Sequence, residues 1–449
     1  MHIWKSVSPP DFQFPVTEEN KMKQHSSYVY FDEAVCTGCA FSVKACPTRA
    51  IRVRNGRPLI MDGKCIGCGE CIRVCPTGAM KAVTSGSEPL QKDRISVALV
   101  SPVLYSQFFG VPPGDVLQAL RQMGFCHAVD MSYFLEMFQC AAEEFIVRNR
   151  KDEKFPWPLI SPVCPVVVRL IALQFPSLLS HILPIMRPVA LMAREVNRQL
   201  IRKYGKEESV TLYYINPCPT RMDADRIAFH HERPYIDKTL GINEVYADLT
   251  RELKKIRKPA KPDMLDYGPT ENSLIWGLSG GEILDMHLDR TLAVSGLKET
   301  IAYLEKIEMG LFQDIEYIEF RTCPEGCVGG TLIAIDKYLA KNTIKKASRK
   351  CGFKRRVSAD NIHRLYEKGW FSAKSSLAKT ACLFSIQEEP LSIEELMEID
   401  NILERIHGMD CSACGAPDCR TFAEDVVRGE ASLDDCVVLR ARGKSAEKI

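Results

Sequence analysis

The chain has 449 residues, 59 lysines and arginines against 57 aspartates and glutamates, and 46% hydrophobic content. Balanced charge excludes a nucleic-acid scaffold and a polybasic membrane binder, and the length accommodates two to four domains. The longest apolar stretch, residues 159–175, carries an arginine and prolines and is shorter than a membrane span, so it reads as a buried strand and a helix. Nineteen cysteines without a secretory signal point to metal rather than disulfides. The nine histidines do not pair with them at zinc-finger spacing, which favours iron–sulfur clusters over zinc and suits a reducing cytosol.

Residues 1–27 have neither an apolar signal core nor an arginine-rich transit pattern and read as a partly ordered arm. A ferredoxin-like domain with two clusters is expected over residues 28–90. Residues 65–76, CIGCGECIRVCP, follow the bacterial ferredoxin spacing, in which three cysteines serve one cubane and the fourth reaches across to the other. Residues 36–47, CTGCAFSVKACP, repeat the frame, with Ser42 in the third slot. Crossed ligation then assigns Cys65, Cys68, Cys71 and Cys46 to one [4Fe–4S] cluster. The other receives Cys36, Cys39 and Cys75, with Ser42 at the fourth corner. That corner leaves open a three-iron cluster, a serinate-ligated cubane, a labile site or a vestigial empty one.

Residues 91–394 follow a linker, TSGSEPLQKD, and alternate strand-like with helical patterns. Strands are expected in RISVALVSP, HAVDMS, PLISPVCP, VTLYYINPCP, LAVSG and IEYIEFRTCP. Helices are expected in PGDVLQALRQMGF, FLEMFQCAAEEFIVRNR and LKETIAYLEKIE. This alternation predicts parallel sheets covered by helices, with ligands beyond the carboxyl ends of the strands. Cys164, Cys218, Cys323 and Cys327 stand at such ends, and the first three are each followed by proline, which closes the helical option. Gly326, Gly329 and Gly330 let backbone approach a bulky inorganic group. The Cys323–Cys327 pair thus offers two thiolates to one cluster, completed by Cys164 and Cys218 from other strands.

The three loops SPVCPVV, NPCPTR and EFRTCPEGCVGG resemble the cysteine motifs of the catalytic domain of [FeFe]-hydrogenases. The resemblance implies a hydrogenase-type domain of two lobes. It also implies a [4Fe–4S] cluster on Cys164, Cys218, Cys323 and Cys327, the last bridging to a diiron unit with CO, cyanide and azadithiolate. By position, Glu319 matches the family glutamate, and Pro102 and Pro217 match prolines lining the diiron pocket. Four positions depart. Val163 stands where active members carry a proton-relaying cysteine, Arg221 where a lysine hydrogen-bonds cyanide, and Asn216 and Arg321 where they carry methionines. A positioned general acid is worth about 10²–10⁴ in rate, so slow turnover is expected.

Residues 395–449 are expected to form a small helical iron–sulfur domain on Cys411, Cys414, Cys419 and Cys436, with Gly415 and Pro417 holding the loop around the metal. It resembles domains appended to hydrogenases regarded as sensory, here without a PAS module. Cys126, Cys140, Cys351 and Cys382 fall outside every ligand frame, with Cys140 read as a buried hydrophobe. His230 and His231 read as surface residues and the basic run at 345–356 as solvated. Three functions are compatible with these features: a divergent sensory-type hydrogenase reacting slowly with H2 and protons, a non-enzymatic iron–sulfur relay, or an ordinary ferredoxin-linked hydrogenase. The implied partner is a redox protein, a ferredoxin or signalling protein, with no nucleic acid and no membrane.

Overall fold

The computed structural model describes residues 26, 28–86, 90, 94–152, 154–205, 210–220, 235–258, 265, 268–352, 357–373, 391–406 and 408–446. Arg221, His230, His231, Cys382 and nearly all of the N-terminal arm therefore lie outside the described residues. No described helix is long and apolar enough to cross a membrane.

The first unit has two antiparallel pairs. Strand β1 (Val29–Phe31) pairs with β4 (Met80–Ala82), and β2 (Ile51–Arg54) with β3 (Arg57–Ile60). Two one-turn helices, Phe41–Ala45 and Glu70–Val74, lie within the duplicated cysteine runs. Their core is small: Tyr28, Phe31, Val43, Ile51, Ile60 and Met80 pack with partly buried cysteines, so metal binding must supply much of the cohesion.

Two parallel sheets build the middle of the chain. The larger has the order β6-β5-β8-β9, formed by β5 (Ile95–Val100), β6 (His127–Asp130), β8 (Val210–Asn216) and β9 (Lys238–Gly241). The smaller has the order β10-β11-β7, formed by β7 (Leu159–Ile160), β10 (Thr291–Ser295) and β11 (Tyr317–Arg321). Strand β8 is buried at every position, as expected of a central parallel strand under helices on both faces. The predicted strands and helices are all present, giving the expected multidomain α/β fold. One shrinks: PLISPVCP contributes only the two residues of β7, because Pro165 opens the helix Pro165–Gln174. The start of the presumed linker is tied down, with Ser85 N–H donating to the Thr239 carbonyl at 3.0 Å.

The C-terminal unit packs helix Ile393–Ile406 on Cys419–Val427 through Ile399, Ile402, Ile406 and Phe422. It docks on β2. Asp425 is buried between Arg52, with contacts of 2.6 and 3.0 Å, and Arg54, at 2.5 Å. The Val53 N–H donates to the Gly415 carbonyl at 2.8 Å, and a Cβ on Gly415 would overlap the Val53 carbonyl. The glycine is thus required by the approach of a strand from another unit as well as by its own loop, where φ is +82°. Breaking a buried ion pair on one side leaves an uncompensated charge and costs about 3–5 kcal/mol. Asp425→Ala is therefore expected to release the C-terminal unit from β2, seen as faster proteolysis and hydrogen exchange across residues 408–438 with the parallel sheets still protected.

Candidate metal centres and active site

Each central cysteine leaves the carboxyl end of a parallel strand. Cys218 lies two residues past β8, Cys164 four past β7, and Cys323 two past β11. The two sheets therefore aim their strand ends at one place from opposite sides. Asn216 shapes the first loop, its Oδ1 accepting the Cys218 N–H at 2.8 Å, while the Cys218 sulfur contacts the Thr220 hydroxyl at 3.2 Å. The Cys323–Gly330 turn is as close as its glycines suggested. A Cβ on Gly326 would collide with backbone at Gly277–Ser279, one on Gly329 with the Pro324 carbonyl, and one on Gly330 with the Pro217 carbonyl.

The four sulfurs interact. The Cys323 thiol is pushed well above its ordinary value by burial, and further by Cys218, Cys327 and Cys164. Burial and then Cys46 raise the Cys68 thiol, with Cys71 and Cys65 adding to it, whereas Cys36, Cys39, Ser42 and Cys75 line a separate cavity. Cys411, Cys414, Cys419 and Cys436 line another. Crowding ionised sulfur is unfavourable unless a metal group compensates, so this donor set fits soft iron–sulfur ligation.

These sites stand in file. The Arg54 Nη1 donates to the Cys414 carbonyl at 2.9 Å, and Val53 lines the Ser42 cavity while its amide holds Gly415. At the other end, Thr220 donates to the Gly67 carbonyl at 2.7 Å, and Arg73 Nη2 to the Gly329 carbonyl at 3.0 Å. Gly69 must be glycine because a Cβ there would meet Thr331. The Cys65–Cys71 loop is thus pressed against the loops of Cys218 and Cys327.

Cys327 lines a cavity together with Pro102, Val163, Met131, Pro188, Trp276 and Gly277, among others. Pro102 and Val163 form part of the walls of this largely apolar space. Pro217 packs against Gly330, and its carbonyl accepts the Leu332 N–H at 3.1 Å. Sequence reasoning passed over Arg187, a buried cation on the cavity wall. Preceding Pro188 at a helix start, it carries no pattern that would mark it. Cys126 is exposed, Cys140 packs partly buried against the largest core, and Lys345, Lys346, Arg349 and Lys350 face solvent as expected.

Glu319 and Arg321 extend from β11 into a fully buried ionic group with Glu282 and Tyr317. Arg321 Nη2 meets Glu282 Oε2 at 2.6 Å and its Nε meets Glu319 Oε1 at 3.3 Å, while the Tyr317 hydroxyl donates to Glu282 Oε1 at 2.5 Å. Glu319 also accepts the Gly280 and Glu282 amides at 3.2 and 3.0 Å. Burial lifts the Glu319 carboxyl from 4.5 to about 7, against the lowering effect of Arg321. The folded apo chain therefore holds this proton more tightly than the unfolded chain does. The corresponding stability is complete below pH 4.5 and is lost as pH rises through 7. Glu319→Gln is expected to remove this slope, so that the urea midpoint of the apo wild type falls relative to that of the variant between pH 4.5 and 7.

Comparison with known proteins finds matches in three regions of the chain. The sequence model described as iron only hydrogenase large subunit, C-terminal domain, matches residues 94–285. A 4Fe-4S dicluster domain matches residues 28–76, and a putative Fe-S cluster domain residues 407–438. The periplasmic [Fe] hydrogenase large subunit of Nitratidesulfovibrio vulgaris is 29% identical over 373 residues, covering 68% of this chain and 85% of that protein. Iron hydrogenase 1 of Clostridium pasteurianum is 26% identical over 409 residues, covering 74% and 70%. Among solved structures, a variant of an [FeFe]-hydrogenase from Chlamydomonas reinhardtii aligns with a TM-score of 0.50 at 16% identity. The alignment covers 66% of this chain and 95% of that one, a likeness of fold.

Proposed function

We propose that the chain is a divergent member of the [FeFe]-hydrogenase family, a hydrogenase-like iron–sulfur oxidoreductase that reacts slowly with H2 and protons and serves as a redox or H2 sensor. The observation that carries the reading is the apolar cavity at Cys327, walled by Pro102 and Val163 and bounded by Arg187. Such a space suits a compact group bearing diatomic ligands, held through the Cys327 sulfur. Cys164, Cys218 and Cys323 hold the adjoining cubane with Cys327, while the remaining twelve ligand positions hold three accessory clusters, one of them with Ser42. When bound, the diiron unit supplies the H2 chemistry and the cubanes supply one-electron storage.

The roles of the protein groups follow from their surroundings. Asn216 orients the Cys218 loop through its amide. Pro102, Val163 and Trp276 keep water from the cavity, and Arg187 presents positive charge to an anionic ligand there. Val163 is buried and has no proton to give, so proton delivery on its side of the cavity is the slow element. Arg221 takes the place of the family's cyanide-bonding lysine by sequence position. Docking of the C-terminal unit on β2 supports electron exchange with a partner such as a ferredoxin or signalling protein through that end. A reducing cytosol suits the exposed clusters, although the relative from Nitratidesulfovibrio vulgaris is named as periplasmic.

Protein matured with the diiron unit is expected to show infrared bands of metal-bound CO and cyanide. A matured sample with intact cubanes and no such bands would favour a relay that lacks the diiron unit. Val163→Cys, in the same matured protein, is expected to raise H2 turnover by about 10²-fold or more, measured by H2 evolution from a reduced dye. Unchanged turnover would mean that proton supply at this position does not limit the rate.

A further inference from the structure

Arg321 poses a problem that the family reading leaves open. It is among the largest fully buried side chains described, and its charge is engaged by Glu282 through Nη2 and by Glu319 through Nε. Nη1 is buried and has no hydrogen-bond partner in the protein, and Nε, although 3.3 Å from Glu319, makes no hydrogen bond either. An orphaned guanidinium N–H in a dry interior is unfavourable unless something else accepts from it. Stability does not explain the group, because a buried ionic network is often no better than apolar side chains of the same volume. Beyond its two carboxylates, Arg321 interacts electrostatically with Cys327 and Cys164. Arg321 is also the last residue of β11, two before Cys323, and the strand is held in register against Ser295 of β10. Its position is therefore set by the sheet that positions the cysteine loop.

We propose that Arg321 is a positioning residue for the inorganic group held by Cys164, Cys218, Cys323 and Cys327, donating its Nη1–H to sulfur on the Cys164–Cys327 side. The proposal rests on the reading that these four thiolates share one cluster. A charged donor at cluster sulfur favours the more negative, reduced form and raises the reduction potential. Glu282, Tyr317 and the amides that bind Glu319 then have a defined task. They hold the guanidinium by its other nitrogens, leaving Nη1 aimed at the cluster instead of turning inward to a carboxylate.

The test separates this role from simple neutralisation of Glu282. In the full chain carrying its cubanes, the central cluster is identified as the electron paramagnetic resonance signal lost in Cys218→Ser, and its midpoint potential is titrated. The double variant Arg321→Met with Glu282→Gln removes one positive and one negative charge together. If Arg321 donates to the cluster, the midpoint falls by about 59 mV or more, a tenfold change in the one-electron equilibrium. Arg321→Lys keeps the charge but loses the planar fork, and is expected to shift the midpoint in the same direction by less. Midpoints equal to wild type in both variants overturn the proposal and leave the four-thiolate reading standing. A wild-type protein with no signal that depends on Cys218 overturns both. Should the double variant fail to load its central cluster, Arg321→Lys decides: a lowered midpoint supports donation, and an unchanged one overturns it.

Discussion

Sulfur buried between two parallel sheets is the constraint on which this protein is organised. A thiol in a dry, crowded place resists ionisation, and burial with the neighbouring sulfurs of Cys218, Cys327 and Cys164 holds the Cys323 thiol well above its ordinary value. The protein accepts that cost by making the surrounding backbone unyielding. Prolines follow three of the four cysteines, Asn216 caps the Cys218 loop, and Gly326, Gly329 and Gly330 permit backbone contacts that any side chain would obstruct. Metal binding then couples to folding, because the compensating charge arrives with the inorganic group.

The same logic repeats down the chain, and the repeats are fastened to one another by short polar contacts rather than by large apolar interfaces. Arg73, Thr220 and Gly69 join the ferredoxin-like unit to the loops of the central site. Arg52, Arg54 and Asp425 join it to the C-terminal unit. Val53 contributes to both its own cavity and its neighbour's docking, so two cysteine sites are separated by little more than one strand. Charged contacts of this kind fix orientation more sharply than apolar ones, since a displaced guanidinium is left buried and unpaired.

Around the cavity at Cys327 the lining is largely apolar. Pro102 and Val163 preserve an apolar wall, and the cations stand at its margins, Arg187 on the lining and Arg321 behind the cysteines. An apolar wall without a titratable group hinders proton traffic, whereas nearby guanidinium groups stabilise negative charge on whatever is held there. That combination is the basis on which we propose slow turnover and a redox- or H2-sensing role.

Much of this was legible in the residues alone. Cysteine spacing announced the accessory sites, and the crossed sorting of Cys46 and Cys75 followed from the duplication, because a local motif with fixed offsets carries its geometry with it. Six strands of the two parallel sheets were legible as short β-rich runs, with β7 cut short where Pro165 began a helix early, while β9 was not. Sequence determined which residues are able to bind metal and which strands carry them. Only the tertiary structure decided what lies next to what: that Gly415 serves a strand far earlier in the chain, that Arg187 reaches the cavity wall, and that Arg321 is held by Glu282 with its Nη1 unpaired. These contacts join residues with no sequence relation to each other. They arise from how two sheets and two small iron–sulfur units pack, and no local pattern encodes that.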